Sequence, residues 1–254
     1  MEIRLREYAG QVPETQGWCG GWSLREAQLE QHKMKPYDRY KASSFRAYND
    51  KLPGRYDTSI AVRFFRPSTM DGFVLDALGQ DVAALAILDV GCATGRLLER
   101  LAEAGARELA GADLAPRILD VARGKLARFD FECDLRSADA ETLLPWPADT
   151  FDAVMLTGVV HHFCNPQDAL QKIRRVLRPG GKLIIADACF FPPVRELFNL
   201  CLRVHPHEGD CYFHTGRQLR QMLSTHGWAV SRCERLNWWF FGIVARGVSS
   251  GGAR

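Results

Sequence analysis

A doubly wound α/β fold is predicted by three observations. Short apolar runs alternate with stretches of helical periodicity from Ser68 onward, and that alternation builds a parallel sheet with helices on both faces. The runs carry almost no charge inside, as strands covered on both faces require. A glycine-containing loop, Asp89-Val90-Gly91-Cys92-Ala93-Thr94-Gly95, stands between the first run and the helix after it. Seven strands are expected, with a final hairpin supplying one antiparallel strand, and an N-terminal helical cap precedes them.

Ser68-Thr69-Met70-Asp71 reads as a capping box, with Phe73, Val74, Ala77 and Leu78 on one helical face. Ala86–Val90 is the first strand. Leu97, Leu98 and Leu101 form the stripe of the next helix. Glu108–Asp113 is the second strand, and Pro116 opens a helix whose apolar side holds Ile118, Leu119, Ala122 and Leu126. Phe129–Arg136 reads as the third strand and Phe151–Thr157 as the fourth. Asn165-Pro166 starts a helix that Pro179-Gly180-Gly181 should stop, and Lys182–Ala186 is the fifth strand. Thr215-Gly216-Arg217-Gln218 is a second capping box. Trp228–Ser231 and Asn237–Ala245 close the sheet as a hairpin.

Length and composition fit one domain. The chain has 254 residues, 46% hydrophobic and 25% charged, with a net charge of +3. That balance neither requires nor excludes a nucleic-acid partner. The expected layout is a single domain over 1–254: a cap or lid at 1–55, a core at 68–187, an insertion at 188–214, and a C-terminal helix and strands at 215–246. No apolar run is long enough for a membrane span and no secretory signal opens the chain. The eight cysteines form no C-x-x-C pair, which reads as reduced thiols in a cytoplasmic protein. The protein is expected as a monomer or homodimer.

The glycine loop could cradle a dinucleotide, but three features argue otherwise. Gly91-x-x-x-Gly95 lacks the third glycine of the pyrophosphate fingerprint. Asp89 precedes the loop, and a carboxylate there suits an ammonium and a sulfonium better than a pyrophosphate. Asp113 ends the second strand eighteen residues past Gly95, where a carboxylate can hold ribose hydroxyls.

Further motifs follow in order: Ser137-Ala138-Asp139-Ala140-Glu141, Leu144-Pro145-Trp146, Asp149-x-Phe151-Asp152, Val160-His161-His162-Phe163 and Val176-Leu177-Arg178-Pro179-Gly180-Gly181. With Ile87–Gly95 they resemble the class I S-adenosylmethionine-dependent methyltransferases, in the branch that includes the ubiquinone and menaquinone biosynthesis enzymes. The resemblance covers residues 85–187 closely, 215–245 loosely and 1–51 hardly at all. It implies a Rossmann-like fold, S-adenosylmethionine as cofactor and S-adenosylhomocysteine as product. It implies that Asp89 lies beneath the loop near the amino-acid part of the cofactor, and that Gly91, Cys92, Ala93 and Gly95 form its backbone path. Asp113 would bind the ribose and Leu114 the adenine face. Asp139 would take the adenine amino group, Ala140 would offer its amide, and Thr157 and Gly158 would lie near the methionyl portion. Ala93 departs from the glycine usual in the family, and Ala115 from a serine.

The acceptor is not named by these motifs. A small molecule methylated at O or N is favoured, aromatic or apolar, because Phe190, Phe191, Phe198, Tyr212 and Phe213 crowd the insertion. RNA or protein as acceptor, and cofactor binding without turnover, are the alternatives. Candidates for a catalytic base are His162, His205, His207 and His214, set against packing roles for the His161-His162 pair. Cys201, His205, His207, Cys211 and His214 match no closed zinc spacing, so no metal is expected there. Lys33, Lys35, Arg39, Lys41 and Arg46, interleaved with Tyr37, Tyr40, Phe45 and Tyr48, read as a lid in preference to an RNA surface.

Overall fold

The computed structural model describes residues 36–58, 68–204 and 209–248. The expected cap therefore enters only from Pro36 onward. Trp18, Trp22, Lys33, Lys35, Cys19, His205, His207 and the glycine-serine tail from Ser249 lie outside the described residues.

Seven strands form one sheet in the order β3-β2-β1-β4-β5-β7-β6. They are β1 (Ala86–Val90), β2 (Glu108–Asp113), β3 (Asp134–Ser137), β4 (Phe151–Thr157), β5 (Leu177–Ala188), β6 (Trp228–Arg235) and β7 (Phe240–Gly247). All neighbouring pairs are parallel except those of β7, which runs antiparallel to both β5 and β6. The single reversed strand is the one the C-terminal hairpin was expected to supply. The helices among the described residues are α1 (Pro36–Arg46), α2 (Ser68–Leu78), α3 (Arg96–Glu103), α4 (Pro116–Leu126), α5 (Pro166–Val176), α6 (Val194–Val204) and α7 (Gly216–Thr225).

The core lies in two halves, one on each face of the sheet. Successive side chains of a strand point to opposite faces, and here both sets are apolar. Leu88, Val154, Leu156, Leu183 and Ile185 pack toward α5 and α7, against Leu170, Ile173, Leu219 and Leu223. Their neighbours Ile87, Ala153, Met155, Ile184 and Ala186 pack on the other side against Met70, Phe73, Leu97, Leu98, Leu119 and Ala122 of α2, α3 and α4. All five residues of β1 are buried, so a charge at an interior position of this strand has no water to reach.

The chain leaves β1 toward β2 and β3, then crosses back to β4. Strand order therefore reverses between β1 and β4, and a crevice opens there at the carboxyl ends of the strands.

Some local expectations are corrected. β3 begins at Asp134; Phe129 and Phe131 precede it and pack against the α2–α4 half of the core. α5 ends at Val176, and β5 starts at Leu177, ahead of Pro179-Gly180-Gly181, with an irregular register against β4 between Phe151 and Ala153. Asp71 turns inward, fully buried, and receives hydrogen bonds from Arg96 and Arg100 of α3. The second capping box forms as read: Thr215 Oγ1 accepts the Gln218 amide at 3.1 Å, and Gln218 Oε1 accepts the Thr215 amide at 2.9 Å.

The thiols are corrected as well. Cys164 and Cys211 form a disulfide, their Cα atoms 5.4 Å apart. The Cys211 amide donates to the His161 carbonyl at 2.8 Å, which carries this cysteine against the segment holding Cys164. Among the described residues Cys92, Cys133, Cys189, Cys201 and Cys233 are free, with Cys92 and Cys189 buried as small apolar groups.

Candidate active site

The crevice is built from strand ends. β1 ends at Val90, and the amides of Gly91 and Cys92 both donate to the Ala112 carbonyl of β2, at 2.7 and 3.1 Å. This pulls the loop across the tip of the neighbouring strand. Gly91 has φ +77, and a Cβ there would stand 2.4 Å from Val159 Cγ2, so the turn requires glycine on both counts. Ala93 adopts φ +48 while buried, a conformation a side chain disfavours.

Asp113, the last residue of β2, fixes this loop. One of its carboxylate oxygens accepts the Ala93 amide and the other the Ala115 amide, each at 3.0 Å. Asp139 follows β3, and its Oδ1 accepts the Glu141 amide at 3.1 Å. The crevice is lined by Gly91, Ala93, Asp113, Leu114, Asp139, Ala140 and Gly158 and encloses about 620 Å³ of open space, mouth included. Seven of the expected cofactor positions, together with the candidate base His162, thus meet at one place.

The other expected cofactor positions sit elsewhere. Asp89 and Thr157 are buried in the ends of β1 and β4, and Gly95 is buried at the N-cap of α3. Cys92 turns into the core with Leu97, Leu98 and Leu135, where burial first, then the nearby Asp113 and Asp89 charges, keep its thiol protonated. His162 lines the crevice, with its Nε2 3.1 Å from the Tyr48 hydroxyl. His214 instead lines a second cleft with Tyr212, Phe163 and Met222. Burial lowers its pKa; the Asp187 carboxylate opposes that shift and the His161 charge adds to it.

Of the five residues weighed as zinc ligands, His205 and His207 lie outside the described residues, and the described cysteines are placed elsewhere. Cys211 is spent in the disulfide and Cys201 is exposed on α6. A different group converges. His161 Nδ1 lies 2.6 Å from Asp187 Oδ1, while Asp187 Oδ2 accepts the His161 amide at 3.0 Å. Asp210 Oδ1 lies 3.1 Å from His162 Nδ1 and 3.8 Å from His161 Nε2.

Sequence reading did not single out Lys41 as a pocket residue. This lysine of α1 is buried, donates to Asp139 Oδ1 at 2.8 Å and pairs with Glu141. Burial raises the Glu141 pKa, and the Lys41 charge opposes that rise. Ser44 and Tyr48, further along the same segment, also line the crevice, as does Tyr56. The basic-aromatic run around Lys41 was visible in sequence, but nothing local distinguishes the lysine that turns inward.

Residues 88–185 match a methyltransferase domain family. A demethylmenaquinone methyltransferase of Thermus thermophilus is 38% identical over 129 residues, covering 50% of this chain and 57% of the relative. A ubiquinone biosynthesis O-methyltransferase of Cereibacter sphaeroides is 39% identical over 100 residues, covering 39% of this chain and 40% of the relative. The chain spans about half the length of the curated relatives it matches. Among solved structures, magnesium protoporphyrin IX methyltransferase from Synechocystis PCC 6803, with bound SAH, superposes with a TM-score of 0.63 at 18% identity, covering 82% of this chain and 99% of that one. A SAM dependent methyltransferase from Aquifex aeolicus gives 0.57 at 18% identity, covering 85% and 100%. These likenesses establish the Rossmann-like fold. In sequence, the stretch 88–185 of this chain is similar to a methyltransferase domain.

Proposed function

We propose that this chain is an S-adenosylmethionine-dependent methyltransferase that acts at an oxygen or nitrogen of a small, largely apolar acceptor. The convergence of Asp113, Asp139 and the Gly91–Ala93 backbone on one crevice carries the reading. The donor set fits the cofactor: a carboxylate at the end of β2 suits a ribose diol, and a second after β3 suits the adenine amino group. The named relatives, demethylmenaquinone and ubiquinone biosynthesis methyltransferases, support an acceptor of similar chemistry.

S-Adenosylmethionine, when bound, supplies a methyl group already activated on a sulfonium. The protein's task is then to align, to exclude water and to accommodate the acceptor proton. Alignment alone is worth on the order of 7–11 kcal/mol. Ser44 and Tyr48 cover the crevice from the α1 side and restrict water. Tyr48 and His162 together set a polar patch within the crevice wall, where an acceptor hydroxyl can be hydrogen-bonded. Stacked and edge-on rings of Phe190, Phe198 and Phe213 form an apolar wall beside His161.

The test is calorimetric titration of the purified chain with S-adenosylmethionine and S-adenosylhomocysteine, followed by incubation of labelled cofactor with metabolite extracts. Saturable binding and a labelled small molecule are expected. Absence of heat with both nucleosides would overturn the cofactor assignment, and label only on RNA or protein would overturn the acceptor class.

A further inference from the structure

The geometry points to a binding site for a first-row divalent transition metal ion formed by His161 Nε2, His162 Nδ1 and Asp210 Oδ1. These three atoms lie within 4.8 Å of one another. Two imidazoles and one carboxylate are ligands that manganese, iron and zinc accept together. An ion bound at about 2.1 Å from each atom requires ligand atoms about 3–3.5 Å apart. The His162–Asp210 separation of 3.1 Å meets this, and the His161–Asp210 separation of 3.8 Å needs only a small rotation.

Both rings turn one nitrogen toward that point. The Asp187 carboxylate can only accept, so His161 Nδ1 donates to it, and Nε2 is the ring atom that faces Asp210. A carboxylate behind a ligating histidine orients it and makes it more basic. His162 has its Nε2 at the Tyr48 hydroxyl and turns Nδ1 toward Asp210. All three ligand side chains are largely buried, with 13–17% exposure.

The third ligand is held by its neighbours in sequence. Gly209 has φ +84 and lies so close to α1 that a Cβ would stand 2.3 Å from that of Ser44. Cys211 is tied to Cys164 by the disulfide and to the His161 carbonyl by its amide. Asp210 therefore stands between two anchored residues. His162 also lines the crevice beside Gly158 and Val159, so the proposed ion site adjoins the crevice through this ring. An acceptor bearing vicinal oxygens, such as a catechol, would reach it. This last step rests on the methyltransferase reading; the binding of the ion does not.

The experiment is calorimetric titration of chelator-stripped, dialysed protein with manganese(II), which thiols bind poorly, and then with zinc(II). One manganese ion per chain is expected. Asp210→Asn and His161→Gln should each weaken binding at least about tenfold, the loss that even outer-shell changes produce. Circular dichroism and a thermal melt of the metal-free variants show whether the fold is retained. No saturable manganese site in the wild type, or equal affinity in both folded variants, overturns the site. S-Adenosylhomocysteine is titrated into the same metal-free sample: nucleoside binding without ion binding defeats the metal site alone.

Discussion

Asp113 and Ala93 are joined directly: the carboxylate at the end of β2 accepts the amide of the loop after β1 at 3.0 Å. Its second oxygen accepts the Ala115 amide at the start of α4, also at 3.0 Å. One side chain thus ties two loops together and also lines the crevice. Asp113→Ala should therefore lose both functions. Charge-assisted hydrogen bonds contribute about 1.5–3 kcal/mol each, so S-adenosylhomocysteine affinity should fall about 10- to 100-fold. The melting temperature should drop in the same variant. Asp113→Asn retains one acceptor oxygen and should lie between. Affinity within twofold of wild type in Asp113→Ala would contradict the role.

Ala93 makes a prediction about strain. It sits at φ +48, buried against Tyr56, Ala115 and Ile118. A left-handed conformation costs an L-residue about 1–2 kcal/mol, whereas glycine is free of that cost but loses more entropy on folding. Ala93→Gly should therefore be neutral or stabilising by up to about 1 kcal/mol, visible as a rise of up to about 4 °C. Ala93→Val adds a β-branch at the same φ and should cost about 1–3 kcal/mol. Thermal melts of the pair decide it; a destabilised glycine variant would mean the conformation is unstrained.

Lys41 bears on stability as well as on the pocket. Its side chain is 9% exposed and that of Glu141 1%. Removing one partner of a buried pair costs about 3–5 kcal/mol, because the other charge stays buried. Lys41→Met should lower stability by that order at neutral pH. Glu141 already has a raised pKa from burial, and loss of the lysine pushes it higher. A carboxylate with a raised folded pKa favours folding under acid conditions and loses that advantage as pH rises through the folded pKa. The deficit of Lys41→Met should thus narrow from pH 7 toward pH 5. Urea unfolding at the two pH values measures it, and a constant deficit would exclude Glu141 as its source.

Legibility in the sequence followed locality. β1, β2 and β4 were readable because an uninterrupted apolar run has one physical outcome, burial on both faces, and the structure gives those bounds for all three. Pro179-Gly180-Gly181 misled because those residues stop a helix, yet α5 had already ended at Val176. Asp113 was readable from its spacing to the glycine loop. Lys41 was not, since its partner Asp139 is 98 residues away and only the packing of α1 brings them together. The pairing of Asp210 with His162 is hidden for the same reason: it depends on a loop returning across the sheet ends.

Asp71 supplies the clearest pH dependence. Its carboxylate is fully buried in the first turn of α2 and accepts Arg96 Nη2 at 2.8 Å and Arg100 Nη1 at 2.5 Å. Burial alone would raise its pKa, but the hydrogen bonds and charges of Arg96 and then Arg100 outweigh it and hold the group below the usual carboxylate range. A depressed folded pKa means stability that is fully present above the unfolded value of about 3.9 and is lost as pH falls through the folded value. Asp71→Asn should cost about 2–3 kcal/mol at pH 7, less than a wholly buried pair because both arginines remain partly in water. The gap between wild type and variant should stay level from pH 8 to pH 5 and shrink below about pH 4. Urea unfolding across that range measures the gap directly. A gap that persists unchanged well below pH 4 would mean the aspartate acts by shape and not by charge, since the neutral acid and the amide then stabilise α2 against α3 differently for reasons unrelated to the arginines.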